Sequence, residues 1–343
     1  MKKFYLVLLL FSFVFSHNPA RAQSLTLPEV SQRSEVTQTI GLSEITIDYH
    51  SPAVNGRAVY GGIVPYDAVW RCGANENTTI TFSHAAKIEG KAIPAGKYGL
   101  HMIPTATEWT IIFSKNHTSW GSFFYKPEED ALRVNVKPVM LPESVEYLNY
   151  GFLNRQAEST VAYLEWEKLR VPFTISFDVK EIVLQNIRNE LRSLPAFGQT
   201  AHLEAAQYCL QHNFNQDEAL KWVDQAMKVN PGFGPKSTKA LLLEQKGDVS
   251  GSKKLIDESL PLANEVEVNA FGYQLLAMKK VKQAIEVFQL NVKNYPDSWN
   301  AYDSLAEAYG IAGEKSQSKA YYQLALKHNP PANQVPRLEQ LIK

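Results

Sequence analysis

Pro296 and Pro330 lie 34 residues apart, and the residues ahead of each keep step. Ala284 and Phe288 precede the first at the same distances as Ser318 and Tyr322 precede the second. A repeat of that length suits a pair of helices that turns back on itself. One such pair cannot bury its apolar face alone, so it must stack on copies of itself. Stacks of this kind present an extended surface to other chains. The feature therefore points to a partner before it points to a reaction.

From Thr200 onward the chain divides into four such pairs, at 200–231, 233–264, 265–296 and 299–330. Small residues (Ala206, Ala219, Gly272, Ala284, Ala306) let the two helices of a pair approach closely. Leu275, Phe288, Tyr309 and Tyr322 fill the gaps between pairs, with Ala325 beside them. Pro231, Pro296 and Pro330 close the second helices, because proline cannot continue a helix. The second pair fits the register least well. Together these residues resemble the tetratricopeptide repeat family over residues 199–331, with Asn291 and Ser318 standing where that family usually has alanine. The resemblance implies an all-α solenoid that docks a protein or peptide in its concave groove. A helix over 332–343 is expected to cap the exposed end.

The first half of the chain has a different period. Ile45-Thr46-Ile47-Asp48-Tyr49, Thr79-Ile80-Thr81-Phe82, Val134-Asn135-Val136, Val161-Ala162-Tyr163-Leu164 and Phe173-Thr174-Ile175-Ser176-Phe177 alternate apolar with polar residues. Such alternation turns one face of a strand to a core and the other to water. Trp109-Thr110-Ile111-Ile112-Phe113 reads as a more buried strand, and Lys87–Ile93 as a hairpin around Glu89-Gly90. Many short strands without long intervening helices indicate an antiparallel β-sandwich or barrel over residues 40–180. The expected fold is thus a multi-domain α+β chain, a strand domain followed by an all-α tetratricopeptide-like solenoid. The segment 23–39 reads as an N-terminal extension, and 181–198 as a linker helix, from the spacing of Ile182, Leu184, Ile187, Leu191 and Leu194.

The N-terminus carries Lys2-Lys3, an apolar stretch from Phe4 to Phe15, and Ala20-Arg21-Ala22. This is the pattern of a Sec-type signal over residues 1–22, cut after Ala22. The apolar stretch is too short to span a bilayer, and no later segment is apolar enough, so no membrane span is expected after cleavage. The expected location is the periplasm or beyond. Lysines plus arginines number 35, as do aspartates plus glutamates, for a formal net charge of zero. A balanced chain lacks the general attraction to phosphate backbones that nucleic-acid binders use, so no nucleic-acid partner is expected. Cys72 and Cys209 fall in different halves and read as unpaired, buried thiols.

The segment from Tyr49 to Glu76 is unusually rich in Tyr, Trp, Arg, Asn and Gly. Loops on a rigid scaffold are where binding groups usually sit. Arg57 and Arg71 offer planar donor forks for carboxylate or phosphate. Tyr49, Tyr60, Tyr66 and Trp70 offer flat faces for sugars or rings. Asp48, Asn75 and Glu76 complete the candidate ligand-binding set. The structural alternatives are an Arg71–Glu76 or Arg133–Asp130 pair that fixes loops, and Trp70, Trp109, Trp120 and Trp166 as core. His50, His84, His101 and His117 lack metal-ligand spacing, so no metal and no cofactor are expected. No serine elbow or phosphate-loop motif is present.

The stretches SPAVNGR (51–57), VYGGIVPYDAVWRCGANENTTI (59–80) and IPAGKYGLHMIP (93–104) resemble the secreted bacterial family of domain of unknown function 2911. Trp120-Gly121, Asp130 to Val134 and Glu146-Tyr147 continue the resemblance. It covers 40–179, sharpens the domain boundary and implies no particular activity. Cys72 stands where a threonine-like residue is expected, which speaks against a catalytic cysteine. Two readings follow. One is an exported adaptor, with a strand domain for a small-molecule or glycan ligand and repeats for a protein or peptide. The other is an envelope hydrolase of a saccharide or peptide, with Asp48, Arg71 and Glu76 as its polar groups.

Overall fold

A computed structural model describes residues 27–343. The expected signal segment, residues 1–22, lies outside the described residues. Two compact units divide the chain at Phe177 and Asp178.

The first unit holds two antiparallel sheets. Six strands, β1 (Gln32–Ile40), β2 (Ser43–Ser51), β3 (Thr79–Phe82), β6 (Gly96–Pro104), β7 (Trp109–Ser114) and β8 (Asp130–Val136), lie in the order β1-β2-β3-β6-β7-β8. The other four, β4 (Ala86–Ile88), β5 (Lys91–Ile93), β9 (Val139–Leu153) and β10 (Ser159–Ser176), lie in the order β5-β4-β10-β9. The core fills with the inward-facing alternates: Ile45 and Ile47 from β2, Leu100 and Met102 from β6, Leu164, Phe173 and Ile175 from β10. Phe113 meets Phe173 edge-on at 6.2 Å, and Tyr49 meets Tyr150 at 4.8 Å, which joins the sheets across the core. The β4–β5 hairpin turns at Glu89 and Gly90, both at positive φ, as a two-residue turn between right-twisted strands requires.

Two expectations about the strand unit are corrected here. Residues 23–39 are not merely an extension: β1 pairs with β2 from Gln32↔Ser51 to Ile40↔Ser43, so the strand domain starts before residue 40. The alternating stretches at 161–164 and 173–177 belong to one 18-residue strand, β10, carried through register shifts at Glu165–Leu169. Its partner β9 gave little alternation because most of its first half is exposed.

The second unit is helical throughout. Four antiparallel pairs follow one another: α2 (Gln199–His212) with α3 (Gln216–Val229), α4 (Phe233–Gln245) with α5 (Val249–Ser259), α6 (Glu265–Ala277) with α7 (Val281–Asn294), and α8 (Trp299–Ile311) with α9 (Lys315–Lys327). Helix starts are set by side chains that accept from otherwise unpaired amides. Asp248 accepts from Gly251, Ser298 from Ala301, and Asn264 forms a reciprocal box with Glu267. The proline after α3, α7 and α9 falls just past the helix in each case, and in the weakest pair Pro261 ends α5 early.

Close approach explains Gly272. A Cβ there would sit 2.4 Å from the ring of Phe288 on the paired helix, so only glycine allows this contact. Asn291 is fully buried, and its Nδ2 donates to the Glu265 carbonyl at 3.4 Å. An alanine-sized slot is thus occupied by an amide that ties α7 to the start of α6. At the C-terminal end, α10 (Val335–Leu341) covers the last pair. Leu338 is buried, and Arg337 grips the buried Asp303 carboxylate with bonds of 2.8 and 2.7 Å.

The expected linker helix is instead part of this unit. α1 (Val179–Glu190) begins at the Asp178 cap, and Leu184 is buried with Ala205, Ala206 and Cys209 of α2. Arg188 Nη2 donates to Glu218 Oε2 at 2.8 Å. The helix therefore covers the first pair as α10 covers the last.

Candidate functional site

The strand domain has a cleft of about 580 Å³, lined in part by residues of the Tyr49–Glu76 segment. Its walls come from the loops after β2, from Val30 and Ser31 ahead of β1, from Ser122 and Phe123 between β7 and β8, and from Trp166 of β10. Arg57, Trp70, Arg71 and Asn75 of the expected set reach it; Asp48, Tyr49, Tyr60, Tyr66 and Glu76 do not line it.

Burial separates the aromatic candidates. Trp70 is only 9% exposed. Its backbone exchanges hydrogen bonds with Met102 at 2.8 and 2.9 Å, beyond the point where β3 stops pairing with β6. Its ring stacks on Trp166 at 6.1 Å and meets Trp109 edge-on. Trp70 is therefore mainly core, and its place in the cleft is a wall. Tyr60 is likewise packed, its ring against Trp109 and its hydroxyl donating to the Trp166 carbonyl at 3.3 Å, and burial raises its pKa far above the ordinary phenol value. Tyr49 packs on Tyr150. Tyr66 is partly exposed and lies over Gly61.

Trp120 runs the other way. Its sequence context groups it with the core tryptophans, yet it is 55% exposed, and Phe123 beside it is 79% exposed. The two rings stack at 5.9 Å with planes 11° apart. The Arg71 guanidinium lies over the Trp120 ring at 5.3 Å. Gly121, at φ +66°, makes the turn between the two rings, where a Cβ would crowd both Arg71 and Phe123.

The polar candidates are held mostly by backbone and by each other. Arg57 donates to the carbonyls of Val54 and Ala53, at 3.0 and 2.6 Å. Arg71 donates to those of Gly73 and Asn75, at 3.4 and 3.1 Å, and has no carboxylate within 4 Å among the described residues. The expected Arg71–Glu76 pair is therefore absent. Burial lowers the Arg71 pKa from its ordinary value, with Glu76 pulling the other way from a distance. The Arg133–Asp130 pair does form, at 2.5 Å. Asp48 is bound at both oxygens by Arg33, at 2.8 and 2.7 Å, across the β1–β2 pair.

Glu29, His50 and Glu76 bring ligand-type atoms within 4.8 Å of one another. Glu29 approaches His50 Nε2 at 3.1 Å and Glu76 approaches Nδ1 at 3.4 Å. The carboxylates thus flank opposite nitrogens of the ring, with one ligand-type atom from each residue close enough to share a cation. The geometry also suits a histidine that bridges two acids, with Asn75 Nδ2 donating to Glu29 at 2.5 Å.

One nucleophile–base contact escaped the sequence reading, because its residues are 21 positions apart and carry no motif. His101 Nδ1 lies 3.1 Å from Ser122 Oγ. Burial pushes the His101 pKa down to about 4, against the pull of Asp130, so the ring is a weak base at neutral pH. Among the described residues no carboxylate lies within ion-pair distance of the ring, so the pair lacks the group that orients a catalytic imidazole.

In the helical unit a groove of about 930 Å³ runs over α2, α4 and α6, the first helices of three consecutive pairs. Gln199, Gln207, Gln211, Gln245 and Gln274 face it, with Leu203 and Phe271 between them. Gln245 Nε2 donates to the Leu210 carbonyl at 2.8 Å. Its buried Oε1 has no partner among the described residues.

Both cysteines are free and buried. Burial raises Cys72 well above the ordinary thiol value and Cys209 to about 11, so neither is a ready thiolate. No described helix is long and apolar enough to cross a membrane.

Residues 31–175 match the family described as "Protein of unknown function (DUF2911)". No curated protein matches the chain. Solved structures similar to part of it include MamA from Desulfovibrio magneticus RS-1, at 22% identity over 38% of this chain and 76% of that one, with a TM-score of 0.25. Pseudomonas aeruginosa PilF is 16% identical over 43% of this chain and 67% of its own, with a TM-score of 0.28. YrrB, described as a TPR protein with an unusual peptide-binding site, is 13% identical over 43% and 74%, with a TM-score of 0.24.

Proposed function

We propose that this chain, a DUF2911 domain joined to tetratricopeptide-like repeats, is an exported adaptor whose repeats hold an extended segment of a partner protein. The observation that carries the reading is the carboxamide-lined groove over α2, α4 and α6. Each glutamine offers both a donor and an acceptor, the two groups that the main chain of an extended peptide presents in turn. Gln245 shows how such an amide is held in place, its Nε2 donating to the Leu210 carbonyl at 2.8 Å. Leu203 and Phe271 supply apolar contact between the amides.

Recognition of this kind reads the backbone more than the side chains, so it tolerates many sequences. The test is fluorescence anisotropy of the full chain with labelled, unstructured peptides, each paired with its backbone N-methylated twin. Tight binding by the parent and a loss of about tenfold or more in the twin would support main-chain recognition, since tenfold corresponds to a single good hydrogen bond. Equal binding by the twins would sink it.

Export rests on Lys2-Lys3, the apolar stretch after them and Ala20-Arg21-Ala22. Mass spectrometry of the mature N-terminus tests it: a chain starting at Gln23 supports export, and one retaining Met1 in the cytosol refutes it.

A further inference from the structure

We propose that the strand-domain cleft is a binding site for a sugar ring that carries a carboxylate. The cleft contains Arg57 and Arg71 and not one aspartate or glutamate among its lining residues. Two cations share a concave surface with no acid to neutralise them there. The nearby carboxylates have other direct partners: Glu146 accepts from the Asn55 backbone N–H at 2.9 Å, Glu29 from Asn75 Nδ2, and Glu76 pairs with His50 and acts on Arg71 only from a distance.

Both guanidiniums retain donors. Each has five N–H groups in a planar fork. Arg57 uses Nε and Nη2 on the Val54 and Ala53 carbonyls, and Arg71 uses Nε and Nη1 on those of Gly73 and Asn75. Those carbonyls fix the forks in place while leaving the remaining N–H groups for a ligand. A pre-positioned fork loses little side-chain freedom on binding, and it matches the two oxygens of a carboxylate. Arg71 is half-buried, which strengthens its attraction to an anion relative to a cation in open water.

The rest of the cleft selects what carries the charge. Phe123 projects a largely exposed ring at the mouth, stacked on Trp120 and steadied through the Arg71 contact. Flat apolar rings pack on the C–H face of a sugar. Asn55 and Ser122 lie in the same cleft with groups that pair with hydroxyls. A fork, a flat face and scattered hydroxyl partners together describe an acidic saccharide better than a lipid, which needs no hydroxyl partners, or a neutral glycan, which needs no guanidinium.

The experiment is isothermal titration of the full chain with a galacturonic acid trimer, a neutral galactose trimer and benzoate. The expected result is binding of the acidic trimer, with the neutral trimer weaker by about tenfold or more, the factor that one charge-assisted contact supplies. Arg71→Ala and Phe123→Ala should each weaken the acidic trimer by a similar factor. Arg71→Ala can loosen the loop it ties down, so Arg57→Gln and Phe123→Ala, both at exposed positions, provide the reading if Arg71→Ala does not fold. Equal affinity for neutral and acidic trimers overturns the role of the arginines. Benzoate binding as tightly as the acidic trimer overturns the sugar. Failure of all three ligands, or full affinity in Arg57→Gln and Phe123→Ala, overturns the site.

Discussion

The groove over α2, α4 and α6 and the cleft behind β1 are built by opposite means. In the repeats, residues that share a role recur along the chain and meet neighbours of known offset. Gly272 faces Phe288 within one pair, and the pattern that places them is local. In the cleft, neighbours in sequence part company. Trp70 turns into the core beside Trp166 while Arg71, the next residue, turns out over Trp120. Residue type says little about position when the partners arrive from distant parts of the chain. A solenoid thus reveals its framework and hides its ligand, whereas the strand domain displays ligand-like residues and hides which of them are framework.

The sharpest way to break that contrast is Trp70→Ala. If Trp70 is a wall of the core, the substitution should cost the strand domain about 3–5 kcal/mol, the usual range for deleting a buried aromatic ring. Urea unfolding followed by tryptophan fluorescence would show it as a lower midpoint. A midpoint left unchanged would return Trp70 to the ligand platform that its sequence context suggests. Trp70→Phe, which keeps a ring against Trp166, should recover part of the loss.

A second, slightly smaller effect separates the domains by pH. His101 is buried with Ser122 on one nitrogen and Tyr125 at 5.3 Å, near Asp130 and Arg133. Its folded pKa of about 4 lies below the unfolded value of 6.5. Between those values the unfolded chain takes up a proton that the folded chain refuses. The stabilisation is therefore complete above pH 6.5 and falls away as the pH drops toward 4, by about 3 kcal/mol in all. Urea midpoints between pH 7 and 4 should fall for the strand domain, and His101→Gln should flatten that part of the slope. An unaltered slope in the variant would place the acid sensitivity elsewhere.

Much of the fold was legible from local pattern. The four helical pairs, the α10 cap and the Glu89-Gly90 hairpin all rest on short-range rules, periodicity, capping and turn chemistry. The misses are long-range. β1 leaves little trace in the sequence because an edge strand, exposed along much of its length, has little apolar alternation to show. α1 read as a joint because nothing local reveals that Leu184 is buried against Ala205 and Cys209. In the cleft, Arg57, Trp70, Arg71 and Asn75 were legible as members. Ser122 and Phe123 were not, since they arrive from a separate loop between β7 and β8, with Trp120 stacked behind Phe123.

Asp48 supplies the smallest effect and the finest test of the same contrast. By type it belongs with the ligand set, but its half-buried carboxylate is held by the exposed Arg33 on the neighbouring strand and does not line the cleft. With Arg33 exposed and Asp48 half-buried, and with both oxygens bound, such a pair is worth about 1 kcal/mol, the upper end for surface ion pairs. Asp48→Asn keeps the size of the side chain and removes its charge. The expected shift in the urea midpoint is small, about 1 kcal/mol at most, and the affinity for the acidic trimer should not change. Were binding instead to fall, Asp48 would have to act on the ligand across the β1–β2 pair. The cleft would then extend past the wall that Val30 and Ser31 form, and the division between framework and ligand residues would have to be redrawn at β1.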